Sequence, residues 1–211
     1  MPLDLTSLLQ PDHAALLMME CQEGIIGDNA GGGRLNALAA AASRHRTAEH
    51  VGRVLHAARH AHVPVFHLTV ARRADSGGST ANCLLLALGR KGTPLLPGSP
   101  QHAVVAALAP REGDYLVNRF HGVTPFHGTE LDQLLRNLGV RTVVVTGVSV
   151  NVGITGLAIE AVNYGYQVVI PREAVTGTPD EYVEAVLEHS LKLLATLTTV
   201  DQVVAAWQCG Q

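Results

Sequence analysis

The stretch Arg141-Thr-Val-Val-Val-Thr-Gly-Val-Ser-Val-Asn-Val-Gly153-Ile-Thr-Gly-Leu-Ala-Ile-Glu-Ala161-Val-Asn-Tyr-Gly-Tyr166 decides the fold. It opens on an apolar, β-branched run, turns at Gly147, enters a segment of helical composition and leads to a second β-branched run at Val168 to Ile170. A continuous apolar run bounded by turn residues reads as a strand buried on both faces. Strand, helix and strand in that order predict a right-handed crossover between parallel strands.

The pattern repeats outward from there. Ala14-Ala-Leu-Leu-Met-Met19 is a shorter apolar run closed by Glu20, Gln22 and Gly24. It predicts a first strand whose carboxyl end exposes Glu20, at the edge where open α/β sheets place their sites. Thr47 to Ala61 carries Val51, Val54, Leu55 and Ala58 at a helical period, Val63 to Val70 reads as the second strand and Asp114 to Asn118 as the third. A helix is predicted over Thr129 to Gly139, with Thr129 as N-cap, Asp132 following it and Gly139 at the end. Val143 to Thr146, Val168 to Ile170 and Ala195 to Leu197 then alternate with helices at 152 to 164, 179 to 194 and 199 to 207. Ala37 to Ala42 reads as a helix start or loop, not as an element of its own. Residues 71 to 101 are rich in Gly, Ser, Pro and Arg around a helical patch from Cys83 to Leu88, and so long a connection reads as a lid or interface loop. The expected fold class is α/β, one domain over residues 1 to 211, built as a three-layer α/β/α sandwich on a mostly parallel sheet of about six strands.

Composition agrees with that fold and narrows the partners. Hydrophobic residues make up 47% of the 211 but aromatics only 4%, so Val, Leu, Ala and Ile must build the core, as buried parallel strands prefer. A formal charge of −3 and a pI near 6.4 leave no basic surplus to neutralise a phosphate backbone, so nucleic acid is not an expected partner. Three cysteines, Cys21, Cys83 and Cys209, form no metal-ligand spacing and fit a reducing compartment. The opening Met1-Pro-Leu-Asp-Leu5 lacks a basic region followed by an apolar leader core. The apolar stretch from Thr142 to Val162 is interrupted by Asn151 and Glu160, which argues against a membrane span. The expectation is a soluble, cytoplasmic protein with no membrane partner.

The stretch around Gly153, with Met18-Met19-Glu20-Cys21-Gln22 and Asn118-Arg119-Phe-His121-Gly-Val-Thr124-Pro-Phe126-His127-Gly-Thr129, resembles the isochorismatase-like hydrolases, also called the cysteine hydrolase superfamily. The resemblance runs from Ala14 to about Trp207 and is densest from Thr129 through Arg172-Glu173-Ala174, with Glu173 where the family usually has Asp. It implies a Rossmann-type three-layer fold, a small-molecule substrate, no cofactor and a homo-oligomer. Most members of that family carry a nucleophilic Cys at the first turn of the helix, whereas the true isochorismatases carry Gly there, as this chain does at Gly153.

The resemblance also assigns roles. The family's first-strand motif supplies a catalytic Asp; here Glu20 occupies that place, and its longer side chain moves the carboxyl group by about 1.5 Å. The residues alone leave two readings of Glu20 open: a proton donor at a strand end walled by apolar side chains, or a carboxylate that caps a helix or pairs with Arg119. Arg119 stands nearest to the family's Lys, one residue further from Phe126 than usual. Arg does not release its proton at working pH, so it would bind an anion; the alternative is a surface Arg at a strand end. The turn from Gly147 to Gly153 corresponds to one that holds a cis peptide in the family, and its backbone N–H groups are expected as orphan donors for an oxyanion or carboxylate.

Gly153 has no side chain and excludes a thioester route there. Cys21 should point to the opposite strand face from Glu20 as a core thiol, and Ser149 sits in the turn without an adjacent base. True isochorismatases hydrolyse a vinyl ether by acid catalysis, which makes Glu20, Arg119 and Gly153 the candidate catalytic set. Gln22, Arg72, His121, Phe126, Val148 and Ser149 are the candidate substrate contacts, with Arg73 and His127 as further possibilities. Ala71 stands about where a Gln would contact isochorismate. The eleven histidines fall mostly on helix faces, as do His45, His50, His56 and His60, and no metal site is expected. Three readings stay open: a cysteine-independent acid/base hydrolase of a small carboxylated substrate, a non-catalytic binding or regulatory protein, and a hydrolase using water or Ser149 as nucleophile.

Overall fold

The computed structural model describes residues 4–28, 30, 34–92 and 94–208. Met1 to Leu3 of the leader reading and Cys209 lie outside them. The strands are β1 (Ala14–Met19), β2 (Val65–Val70), β3 (Tyr115–Arg119), β4 (Thr142–Val148), β5 (Gln167–Pro171), β6 (Val175–Thr176) and β7 (Thr196–Thr198). The helices are α1 (Leu5–Leu8), α2 (Arg34–Arg44), α3 (Thr47–His60), α4 (Leu84–Lys91), α5 (Leu131–Asn137), α6 (Thr155–Asn163), α7 (Asp180–His189) and α8 (Val200–Gln208). The sheet runs in the order β3, β2, β1, β4, β5, β7, with the short β6 beside β4, and every pairing is parallel. No helix among the described residues is long and apolar enough to cross a membrane.

Side-chain alternation along the central strands produces the three layers. Ala15, Leu17 and Met19 of β1 enter one core with Leu131 and Leu135 of α5, Leu157 and Ala161 of α6 and Leu187 of α7. Leu16 and Met18 enter the other with Val51, Val54 and Leu55 of α3 and Val203 and Trp207 of α8. Both faces of β1 and β4 are therefore buried end to end, and each buried Leu or Met contributes roughly 1.5–3 kcal/mol relative to exposure. The Trp207 indole N–H also donates to the Leu9 carbonyl at 2.9 Å, fastening α8 to the segment before β1.

Four local expectations are corrected. Ala37 to Ala42 belongs to an element of its own, α2, because Leu38, Ala41 and Ala42 give it a buried stripe. Thr129 caps from one position further out than expected: its hydroxyl donates to the Pro125 carbonyl and accepts from the Leu131 amide, so α5 begins only at Leu131. The helix expected at 152 to 164 starts as a wide π turn over Val150–Ile154 and becomes α-helical at Thr155. The helix expected at 179 to 194 ends at His189, and Leu191–Leu193 tightens into a 3₁₀ turn with Leu191 fully buried.

Candidate functional site

Strand register brings the chemistry to one edge. Met19 is level with Leu68 of β2 and Gly147 of β4, and Val70 is level with Arg119 of β3. Glu20, Ala71, Arg119 and Ser149 therefore emerge together at the carboxyl ends of four adjacent strands, beside the point between β1 and β4 where the strand order reverses. Crevices at such switch points are where open α/β sheets hold ligands.

Two glycines shape the floor. Gly147 has φ +98° and lies so close to β1 that an added Cβ would fall 2.1 Å from the Met19 carbonyl oxygen, so no side chain fits. A Cβ on Gly153 would meet Met19 Cε at 3.1 Å and the Val148 carbonyl oxygen at 3.2 Å. Between them lies a cis peptide at Val148–Ser149. The amide of Val152, expected as an open donor, instead bonds the Ser149 carbonyl at 3.2 Å, as does that of Ile154 at 2.9 Å.

A cavity of about 200 Å³ sits on this edge, and Glu20, Arg72, Arg119, His121, Ser149 and Gly153 all line it. Glu20 adopts φ +52°, and its Oε1 accepts a hydrogen bond from Nη2 of Arg119. That pair is the second of the two sequence readings of Glu20. Arg119 is buried; its Nε donates to the Gly122 carbonyl at 3.2 Å, while Nη1 has no partner among the described residues. Cys21 faces the α3 and α8 core, where burial, aided by the Glu20 charge, pushes its thiol up to about 12.

Other expected residues stand outside the cavity. Gln22 is completely buried: its amide donates to the Val70 and His102 carbonyls at 3.0 Å each and accepts from the Val70 amide at 2.8 Å. It ties β2 to the loop after β1 and has no lone group to offer a ligand. Phe126 lies in the core against Tyr164 and Tyr166, and Val148 packs behind the wall with Ile25 and Leu38. Arg73 is exposed and paired with Asp75, and His127 is exposed away from the cavity.

Several lining residues escaped the sequence reading. Leu35 and Leu38 come from α2, Leu85, Leu86, Gly89 and Arg90 from α4. The long connection thus supplies one wall of the cavity. Arg72 donates through Nη2 to the Gly89 carbonyl and Arg90 through Nη2 to the Ser79 carbonyl, so two guanidinium groups fasten α4 over the cavity. The basic and leucine-rich composition of residues 71 to 101 was the available signal, but only the fold shows which face turns inward.

Comparison with known proteins agrees with this architecture. The model of the isochorismatase domain matches residues 14–202. The uncharacterized isochorismatase family protein YwoC of Bacillus subtilis is 32% identical over 98 residues, covering 46% of this chain and 51% of that protein. An N-carbamoylsarcosine amidase from an Arthrobacter species is 29% identical over 126 residues, 59% of this chain and 47% of the amidase. The chain spans about half the length of the curated relatives it matches. Among solved structures, a cysteine hydrolase from Pseudomonas syringae superposes with a TM-score of 0.82 at 23% identity, over 95% of each chain, and so shares the fold. On the extent of the domain match, which takes in every strand from β1 to β7, the chain belongs to the isochorismatase family.

Proposed function

We propose that this protein is a hydrolase that works without a cysteine nucleophile, using Glu20 as general acid on a small carboxylated substrate such as a vinyl ether. One observation carries the reading: a carboxyl group and a side-chain-free Gly153 line the same cavity, an arrangement suited to proton transfer and unsuited to covalent attack from position 153. Glu20 delivers a proton to the terminal alkene carbon, and the electron pair of the double bond forms the new C–H bond. Water adds to the resulting oxocarbenium ion and gives up a proton to the Glu20 carboxylate, and the hemiketal collapses to an alcohol and a keto acid. Arg119 exchanges its hydrogen bond to Glu20 for one to the substrate carboxylate, and the released Glu20 carboxylate takes a proton from solvent and turns toward the substrate. Arg72 and His121 line the same cavity as further substrate contacts, and Ser149 contributes the wall beside Gly153. The setting is proposed to be a cytoplasmic homo-oligomer.

A second reading, a binding or regulatory protein without turnover, draws on the Glu20 and Arg119 pair itself, since a carboxylate held by a guanidinium serves structure as well as chemistry. The test is mass-spectrometric turnover of isochorismate, simpler vinyl-ether acids and small amides by wild type and Glu20→Gln. Vinyl-ether turnover that falls by about 10²-fold or more in Glu20→Gln supports the acid. No turnover of any vinyl ether, alongside stabilisation by the same compounds in thermal melts, favours the binding protein.

A further inference from the structure

The cavity walls differ in character from its floor. Ile25, Leu35, Leu38, Val70 and Leu95 line the cavity and belong to an apolar cluster of their own, separate from the two cores that flank the sheet. From the opposite side α4 adds Leu85 and Leu86, and Leu85 is 45% exposed although it faces the cavity. No residue of α4 is fully buried, so among the described residues its leucines are only partly covered.

The polar groups on these walls are few, and most are engaged. The Ser79 hydroxyl donates to the Phe120 carbonyl at 2.9 Å, which leaves the Thr80 and Ser149 hydroxyls and the His121 imidazole to read polar substituents. A polyhydroxylated or amide-rich ligand would lose hydrogen bonds to water in such a site without regaining them. Charge adds a second requirement. Arg72, Arg90 and Arg119 line the cavity against one carboxylate, Glu20, and neither Arg72 nor Arg90 has a carboxylate partner among the described residues.

From the separate apolar cluster, the uncovered leucine and the surplus of guanidinium groups, we infer that the ligand is an amphipathic acid: a carboxylate head and, beyond the reacting group, a saturated apolar body of several carbons. This rests on the reading of the cavity as the substrate site and sharpens it, because it sets a flexible aliphatic body against a compact, hydroxylated ring. The head meets the arginines and the body lies between α2 and α4, covering Leu85.

Isothermal titration of the whole protein with butanoate, hexanoate, octanoate and 1-octanol tests the inference. Each added methylene tightens binding about fourfold, the equivalent of ~0.8 kcal/mol per buried CH₂, until the body reaches the end of the cavity. Octanoate binds more tightly than 1-octanol, and added salt narrows that gap. Leu85→Ser, at a position exposed enough to leave the fold intact by circular dichroism, flattens the chain-length slope. A dissociation constant independent of chain length, or 1-octanol binding as tightly as octanoate, overturns the inference. The two readings fail separately. Alkanoate binding with the expected slope but no vinyl-ether turnover removes the acid mechanism and keeps the ligand class; turnover of compact vinyl-ether acids with no alkanoate slope does the reverse.

Discussion

At Gly153 the space a side chain would occupy is already taken on two sides. Met19 Cε lies 3.1 Å from the ideal Cβ position and the Val148 carbonyl oxygen 3.2 Å from it. The methionine tip can swing aside, but the carbonyl belongs to β4 and cannot move freely. Gly153→Cys should therefore lower stability by about 1–3 kcal/mol, the range for overpacking a dense core. In a double-mutant cycle with Met19→Ala, read by urea unfolding, the combined loss falls short of the sum by roughly 0.5–2 kcal/mol, because the alanine frees the space the cysteine needs. Strict additivity would show that Met19 does not govern the position. The same scale shows what a sequence conveys about a site. The placement of Glu20, Arg119 and Gly153 around one cavity was legible because each stands at the end or start of a strongly patterned element. Gln22, expected among the ligand contacts, lies outside the cavity; a polar residue just past a strand looks available until its three backbone hydrogen bonds are known.

The elements divide by how they are held. Helix α3 buries Val51, Val54, Leu55, Ala57 and Ala58, whereas α4 buries nothing and depends on the bonds from Arg72 to Gly89 and from Arg90 to Ser79. Stability is distributed unevenly in such cases, and elements with few buried contacts open first. Hydrogen exchange followed by mass spectrometry should find α4 exchanging through local opening while α3 exchanges only with global unfolding. Saturating octanoate should slow α4 selectively. Equal protection of the two helices would contradict this division. The strands β1 and β4 could be read directly, because burial on both faces demands unbroken apolar runs. Helix α2 was passed over although an alanine run favours a helix, because the packing of Leu38 against Ile25 and Val148 cannot be read from the run itself. The inward face of α4 was hidden for the same reason: its exposed and cavity-facing leucines have one composition.

Across the whole molecule, acid should loosen the fold through a buried group outside the cavity. His67 of β2 is 1% exposed; its Nε2 lies 3.1 Å from Oδ2 of Asp114, and Nδ1 has no partner among the described residues. Arg59 donates to the same carboxylate at 2.5 Å. Burial holds the imidazole below its ordinary value, against the opposing pull of Asp114. Asp114 also sits low: burial alone would raise it, but hydrogen bonds from Arg59, the Arg111 amide and His67 outweigh that. Below about pH 6.5 the unfolded chain takes up a proton at His67 that the folded protein refuses, so stability falls as pH drops, by at most about 1.4 kcal/mol per unit for this group. The Asp114 contribution is present above its unfolded value and is lost only at lower pH, as acid passes through its depressed folded value. Urea unfolding at pH 7.5, 6.5 and 5.5 should show a decline that is shallower in His67→Gln than in wild type; equal slopes would remove His67 as the cause. The parallel sheet itself was legible from the alternation of apolar runs and helical segments, but this triad was not, since Arg59 of α3, His67 of β2 and Asp114 of the turn before β3 are brought together only by the sheet order.

The acid mechanism is tested most directly by turning over a vinyl-ether acid in D₂O and examining the keto-acid product by proton NMR before its methyl group exchanges. Wild type should place one solvent deuterium on the former alkene carbon, and Glu20→Gln should lose that turnover. Product released without carbon-bound deuterium, or formed by Glu20→Gln at the wild-type rate, would contradict proton transfer from Glu20.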